Sequence, residues 1–175
     1  RDFNMLQTPL LPMILGIILK IFGNELIVMR ITGVFLISFI FFMIYKILKL
    51  FNVNSTLSLF LVFLIFCLLE SVLCIDYNFC VLALTLSIIY LEIKYYNNNK
   101  FNFLIGFLAG CCILFKQSTG LFIALVSIII KLININIKKD FKLFFKTVSL
   151  RICGILIPII FLILYLLYNN AFFDF

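Results

Sequence analysis

The stretch 101–133 is apolar almost throughout, yet Lys116, Gln117, Ser118 and Thr119 break it at its middle. Asn102 near its start and Lys131 near its end also interrupt the pattern. One helix over the whole stretch would be about 50 Å long. The hydrocarbon core of a bilayer is about 30 Å thick. The stretch therefore predicts two short helices, near 102–116 and 117–133, hinged at 116–120. Each half is shorter than a full crossing, so the hinge is expected beneath the membrane surface, enclosed by protein. A lysine held there needs a partner.

Composition fits a membrane chain. Of 175 residues, 66% are hydrophobic and 12% are charged, more apolar side chain than a water-soluble core absorbs. The net charge of +7 does not point to nucleic acid, because the lysines and arginines cluster between apolar runs, where they fix orientation. The six cysteines, Cys67, Cys74, Cys80, Cys111, Cys112 and Cys153, lie in or beside apolar spans without CxxC spacing. They are expected as buried free thiols. With no histidine, Ser-His-Asp and Cys-His mechanisms and the usual zinc sites are excluded from this segment. The chain opens on Arg1 and stops at Phe175 after an apolar run, and it is expected to be a piece of a longer protein.

The predicted fold is an all-α transmembrane bundle of about six spans, near 26–45, 56–75, 77–93, 102–116, 117–133 and 152–168, within one transmembrane domain over 1–175. A shorter apolar run, 9–22, is opened by Pro9 and Pro12 and closed by Gly23 and Asn24. It is too short to span and is expected to lie at the interface, with 1–25 forming the end of an outer loop. One set of loops carries Lys46, Lys49, Lys94, Lys100, Lys131, Lys138, Lys139, Lys142, Lys146 and Arg151. The opposite set carries Arg1, Lys20, Arg30 and Lys116. The first set is expected on the cytoplasmic side. The segment 134–151 is expected as a cytoplasmic loop, with a short basic surface helix around Phe141, Phe144 and Phe145 as one reading and a bare topological signal as the other.

The outer face then collects the residues that could carry chemistry. Asp2 stands before Gln7-Thr8-Pro9, Glu70 lies within an apolar run, and Asp76 sits at that run's outer end. Lys116 and Gln117 occupy the hinge, and Arg30 lies one turn into the first full span. A carboxylate there could take the proton of an acceptor hydroxyl. A cation could neutralise the phosphate of a departing lipid phosphate. Structural readings stand beside these. Arg30 could snorkel, Asp76 could cap the helix beginning at Tyr77, and Glu70 could pair with Arg30 or Lys116. Gly106 and Gly110 form a GxxxG that serves helix packing.

The run Arg1-Asp2-Phe3, Gln7-Thr8-Pro9-Leu10, Phe22-Gly23 and Arg30 resembles the region after the first membrane helix of GT-C glycosyltransferases. The protein O-mannosyltransferase-like family 39 enzymes and the aminoarabinose transferases of lipid A are the members it resembles most. Cys74-Ile75-Asp76-Tyr77-Asn78 resembles the acidic position opening a later helix of that family. Gly106, Gly110, Phe115-Lys116-Gln117 and Gly120 resemble its segment with an interfacial lysine. The resemblance implies a multi-pass protein of a bacterial plasma membrane. It implies a polyprenyl-phosphate-linked sugar donor, a glycan, lipid or protein acceptor on the outer face, and inverting transfer by direct displacement. Asp2 is then a second acidic position, with the principal base upstream. Lys116, Arg30 and Gln117 would hold donor phosphate, and Asp76 and Glu70 would line the cavity or meet acceptor. Clustered carboxylates could bind a divalent ion, but the resembled enzymes do not generally need one. Two rivals remain. A transporter or flippase for lipid-linked sugar would use the same cation without a base, and a non-catalytic subunit would have no site.

Overall fold

The computed structural model describes residues 10–23, 25–68, 75–96, 101–134 and 141–168. Among them the chain is helical, without strands: α1 (Leu10–Phe22), α2 (Leu26–Leu50), α3 (Ser55–Leu68), α4 (Tyr77–Lys94), α5 (Phe101–Phe115), α6 (Gln117–Asn134) and α7 (Phe141–Tyr168). Among the described residues, three helical segments are long and apolar enough to cross a membrane: α2, α4 and Phe145–Tyr168 of α7. The remaining helices are apolar but shorter. Large side chains such as Phe35, Phe122 and Phe161 are exposed, as suits surfaces facing lipid. The helices fall into two compact units, one over Leu11–Lys94 and one carrying α5 to α7.

In the first unit, local chemistry sets the helix ends. Gly23 closes α1 with φ 99°, a conformation L side chains rarely adopt, and its N–H donates to the Leu19 carbonyl at 2.9 Å. At the end of α2, Asn52 takes the left-handed position with φ 59°. The Asn52 N–H bonds the Lys49 carbonyl, and the Val53 N–H bonds the Leu48 carbonyl. That pair is a Schellman closure, and it turns the chain directly into α3. Lys49 Nζ secures the turn by donating to Ser55 Oγ at 3.0 Å. α2 thus runs to Leu50, past the expected boundary near 45. Lys46 is accommodated within it by lying over the Phe42 ring, 5.2 Å from the centroid.

In the second unit, α5 and α6 fold back on each other with Lys116 alone between them. Gly120 makes this possible, because a Cβ there would collide with the backbone of Cys112 and Ile113. α7 lies against α5 through glycine on both sides. A Cβ on Gly106 would strike the backbone of Arg151, one on Gly110 would strike Ile155 and Pro158, and one on Gly154 would strike Phe103 and Phe107. The register shows that α7 runs parallel to α5, with α6 antiparallel to both.

One expectation is corrected here. The residues 141–151 are not a surface helix separate from the last span. α7 is continuous from Phe141, and Arg151 is buried within the unit. No Gly or Pro stands between 141 and 153 to stop the helix, and Arg151 finds acceptors inside.

Candidate functional site

The hinge forms where sequence placed it. α5 ends at Phe115 and α6 begins at Gln117. The Lys116 N–H still donates to the Cys112 carbonyl at 2.9 Å, and the Lys116 carbonyl accepts from the Gly120 N–H at 2.8 Å. The last bond of α5 and the first bond of α6 thus meet at Lys116. Lys116, Gln117 and Ser118 are exposed at the tip, and Thr119 is half-buried. This corrects the expectation that protein encloses the hinge: within the described residues it is open, because a one-residue connection leaves nothing to fold over it. α6 also presents its N-terminus here. A helix leaves its leading N–H groups without intrahelical partners, and they favour anions.

Depth follows from helix lengths. α5 has 15 residues and α6 has 18, about 22 Å and 27 Å, so neither arm matches a core of about 30 Å. Gly110 faces Ile155 and Pro158, which puts Lys116 level with residues 161–164 of α7. The end of α7 at Tyr168 thus overshoots the tip by about one turn or more. Tyr165 and Tyr168, both exposed, stand at or beyond that level, as tyrosines do in the head-group layer. The tip is recessed relative to the helix beside it.

The opposite end of this unit holds polar groups that the sequence reading did not single out as a site. Arg151 is fully buried. Its Nε and Nη2 each donate to Asn102 Oδ1 at 3.0 Å, and its Nη1 donates to the Ser127 carbonyl. One guanidinium on α7 therefore reaches α5 and α6 at once. Lys131, also buried, donates to the Tyr96 carbonyl at 2.7 Å and lies 5.3 Å from the centre of the Tyr96 ring. Tyr95 stacks on Phe101 with centroids 3.8 Å apart. A signal for this cluster existed in the spacing. Asn102, Gly106 and Gly110 recur every four residues on α5, and Thr147, Arg151, Gly154 and Pro158 form one stripe on α7.

The other candidates are distributed as follows. Arg30 is exposed on α2 and makes no hydrogen bond or ion pair among the described residues. Asp76 caps α4: its Oδ2 accepts from the Asn78 amide side chain at 2.7 Å and from the Asn78 N–H at 3.4 Å. Both belong to the first unit, while Lys116 and Gln117 belong to the second. Asp2 and Glu70 lie outside the described residues. Among the described residues, no three His, Cys, Asp or Glu side chains gather as metal ligands would. The described cysteines, Cys67, Cys80, Cys111, Cys112 and Cys153, are free thiols. No protein-family model, no curated protein and no solved structure matches the chain.

Proposed function

We propose that the chain is part of an integral-membrane glycosyltransferase of the GT-C kind. It would move a sugar from a polyprenyl-phosphate donor to a glycan, lipid or protein acceptor at the outer face of a bacterial plasma membrane. In this reading α2 to α7 make six passes, with α5 and α6 as a short pair. The observation that carries the reading is the exposed cation at a recessed hinge, with Lys116 at the mouth of the α6 N-terminus. Such a site suits an anion fixed at head-group depth.

The chemistry is a displacement. The acceptor hydroxyl attacks the anomeric carbon while the bond from that carbon to the lipid phosphate oxygen breaks. A carboxylate takes the acceptor's proton, a role for Asp2. Negative charge grows on the departing phosphate. Lys116 and Gln117 would bind that charge more tightly in the transition state than in the ground state, which is what accelerates transfer.

Lys116→Met keeps the stem of the side chain and removes its charge. Losing one preorganised partner of the leaving group should lower turnover by roughly a hundredfold. Lys116→Arg should retain part of it, since the charge survives in altered geometry. The measurement is sugar transfer from a lipid-phosphate donor by the intact protein in nanodiscs. Normal turnover in the Met variant would rule out the donor-phosphate role. Movement of donor across the bilayer without any transfer would favour the flippase reading.

A further inference from the structure

Two helices of the first unit carry the same device in their closing turns. An aromatic ring stands four residues before a lysine, Phe42 before Lys46 on α2 and Tyr90 before Lys94 on α4. Lys46 Nζ lies over the Phe42 ring, 5.2 Å from its centre. Lys94 Nζ lies 5.2 Å from the centre of the Tyr90 ring and donates to the Tyr90 hydroxyl at 2.9 Å. A helical side chain leans toward the N-terminus of its helix, so each ammonium turns back along its helix instead of reaching past the end. Lys49 does the reverse: its Nζ donates forward, to the Val53 carbonyl at 3.3 Å and to Ser55 Oγ at 3.0 Å. α2 packs on α4 within this unit. In the six-pass reading both run inward, so Lys46 and Lys94 share its cytoplasmic end. We propose that this end of the unit binds anionic phospholipid, with Lys46 and Lys94 holding lipid phosphate at head-group depth.

Depth selects the partner. A lysine near a helix end that only marks sidedness snorkels toward water. An ammonium laid back against an aromatic ring stays in the layer where tyrosines and lipid phosphates lie. Anionic lipid is concentrated in that layer, while free anions of the cytosol lie beyond the helix end. Among the described residues Lys46 has no carboxylate partner. Glu92 is an acidic residue near this end, and its Oε1 is buried, so that oxygen is not offered at the surface. Tyr90 adds a donor: its hydroxyl accepts from Lys94 through a lone pair and keeps its own hydrogen for a phosphate oxygen. Phe42 is exposed and Tyr90 half-buried, so each ring also offers apolar area to an acyl chain below the head group. A zwitterionic lipid carries its own cation beside the phosphate and gains less from two ammoniums than an anionic lipid does.

The side of the membrane rests on the six-pass reading above, whereas the choice of lipid does not, so the experiment reads the lipid. The intact protein is released from nanodiscs of equal phosphatidylglycerol and phosphatidylcholine, and native mass spectrometry counts the lipids it keeps. The parent should keep phosphatidylglycerol in preference. Lys46→Gln combined with Lys94→Gln should lower that preference by about fivefold or more. Phe42→Leu combined with Tyr90→Leu keeps both charges and releases the ammoniums from their rings, and it should lower the preference as well. Lys49→Gln removes a charge from the same end of α2, but one that is turned forward into the loop, and it should leave the preference unchanged. Parental preference in either double variant overturns the proposal. So does an equal loss in Lys49→Gln, which marks a plain effect of net charge. Displacement of phosphatidylglycerol by inorganic phosphate also overturns it, by giving the cations to free anions. If a double variant does not fold, its two single variants are read by the same criteria. Thiol labelling of Asn52→Cys decides the side separately: reaction in intact cells would defeat the six-pass reading and leave the lipid preference standing.

Discussion

Arg151 and Asn102 illustrate how a membrane protein buries a charge. Hydrogen bonds to a charged group contribute about 1.5–3 kcal/mol each, and a buried charged donor left unmatched is more costly than that bond is worth. Asn102 Oδ1 accepts two of the bonds from Arg151. Asn102→Leu should therefore destabilise the protein by about 3 kcal/mol. Adding Arg151→Met to it should recover part of the loss, because both polar partners are then gone. Melting curves of the parent, the two single variants and the pair test this non-additivity. Additive losses would show that the two side chains do not act together. Sequence reading took Arg151 and Lys131 as loop charges that fix sidedness, and gave Asn102 no role. The reason is physical: a cation near a helix end has the same composition whether it snorkels to water or turns inward. Rotational phase decides, and the phase shows only when Arg151 is aligned with Gly154 and Pro158. At the hinge the opposite held, since Lys116 flanked by apolar runs permits few alternatives.

Helix faces in the second unit are built from small and polar residues. Gly120, Ala124, Ser127 and Lys131 form the buried stripe of α6, while Leu121, Phe122 and Leu125 face outward. Lipid is as apolar as leucine, so burying large side chains gives no transfer gain, and close backbone approach favours association instead. Gly106→Ala should therefore separate α5 from α7 and lower the melting temperature, because its Cβ falls on Arg151 backbone. Gly16→Ala is the control. A Cβ there meets nothing within 4 Å, so in the body of α1 the change should be neutral or stabilising by up to about 1 kcal/mol. Equal losses at both sites would argue against the close-packed seam. The GxxxG was readable in sequence as packing, and the α5–α6 boundary fell within a residue of its expected place. The start of α7 was not readable from hydropathy. Apolar scoring sees only the part of a helix immersed in lipid, whereas α7 begins eleven residues earlier than the 152 boundary that scoring gave.

Across the whole molecule, the arrangement of charge makes a testable statement about sidedness. In the second unit Lys131 and Arg151 gather at one end with Tyr96 and Asn102, and Lys116 stands at the other. In the first unit Lys46 and Lys49 flank the Schellman turn at Asn52, and Lys94 ends α4 beside Tyr90, whose hydroxyl accepts from its ammonium at 2.9 Å. If lysine-rich ends face the cytoplasm, Asn52 lies inside and Tyr168 outside. The six-pass proposal depends on α5 and α6 forming one descent and one return. The two ends of that pair then share a side, so Tyr96 and Ser149 face the cytoplasm together. In a background without native cysteines, an impermeant thiol reagent added to intact cells should mark Tyr168→Cys and leave Asn52→Cys and Ser149→Cys unmarked until the membrane is opened. Ser118→Cys should react from outside, but more slowly than Tyr168→Cys, because its helix stops about one turn short of the α7 terminus. Marking of Ser149→Cys in intact cells would put the two ends of α7 on one side and end the six-pass arrangement. Marking of Ser118→Cys as fast as Tyr168→Cys would instead remove the recess and, with it, the physical ground for a phosphate held at head-group depth.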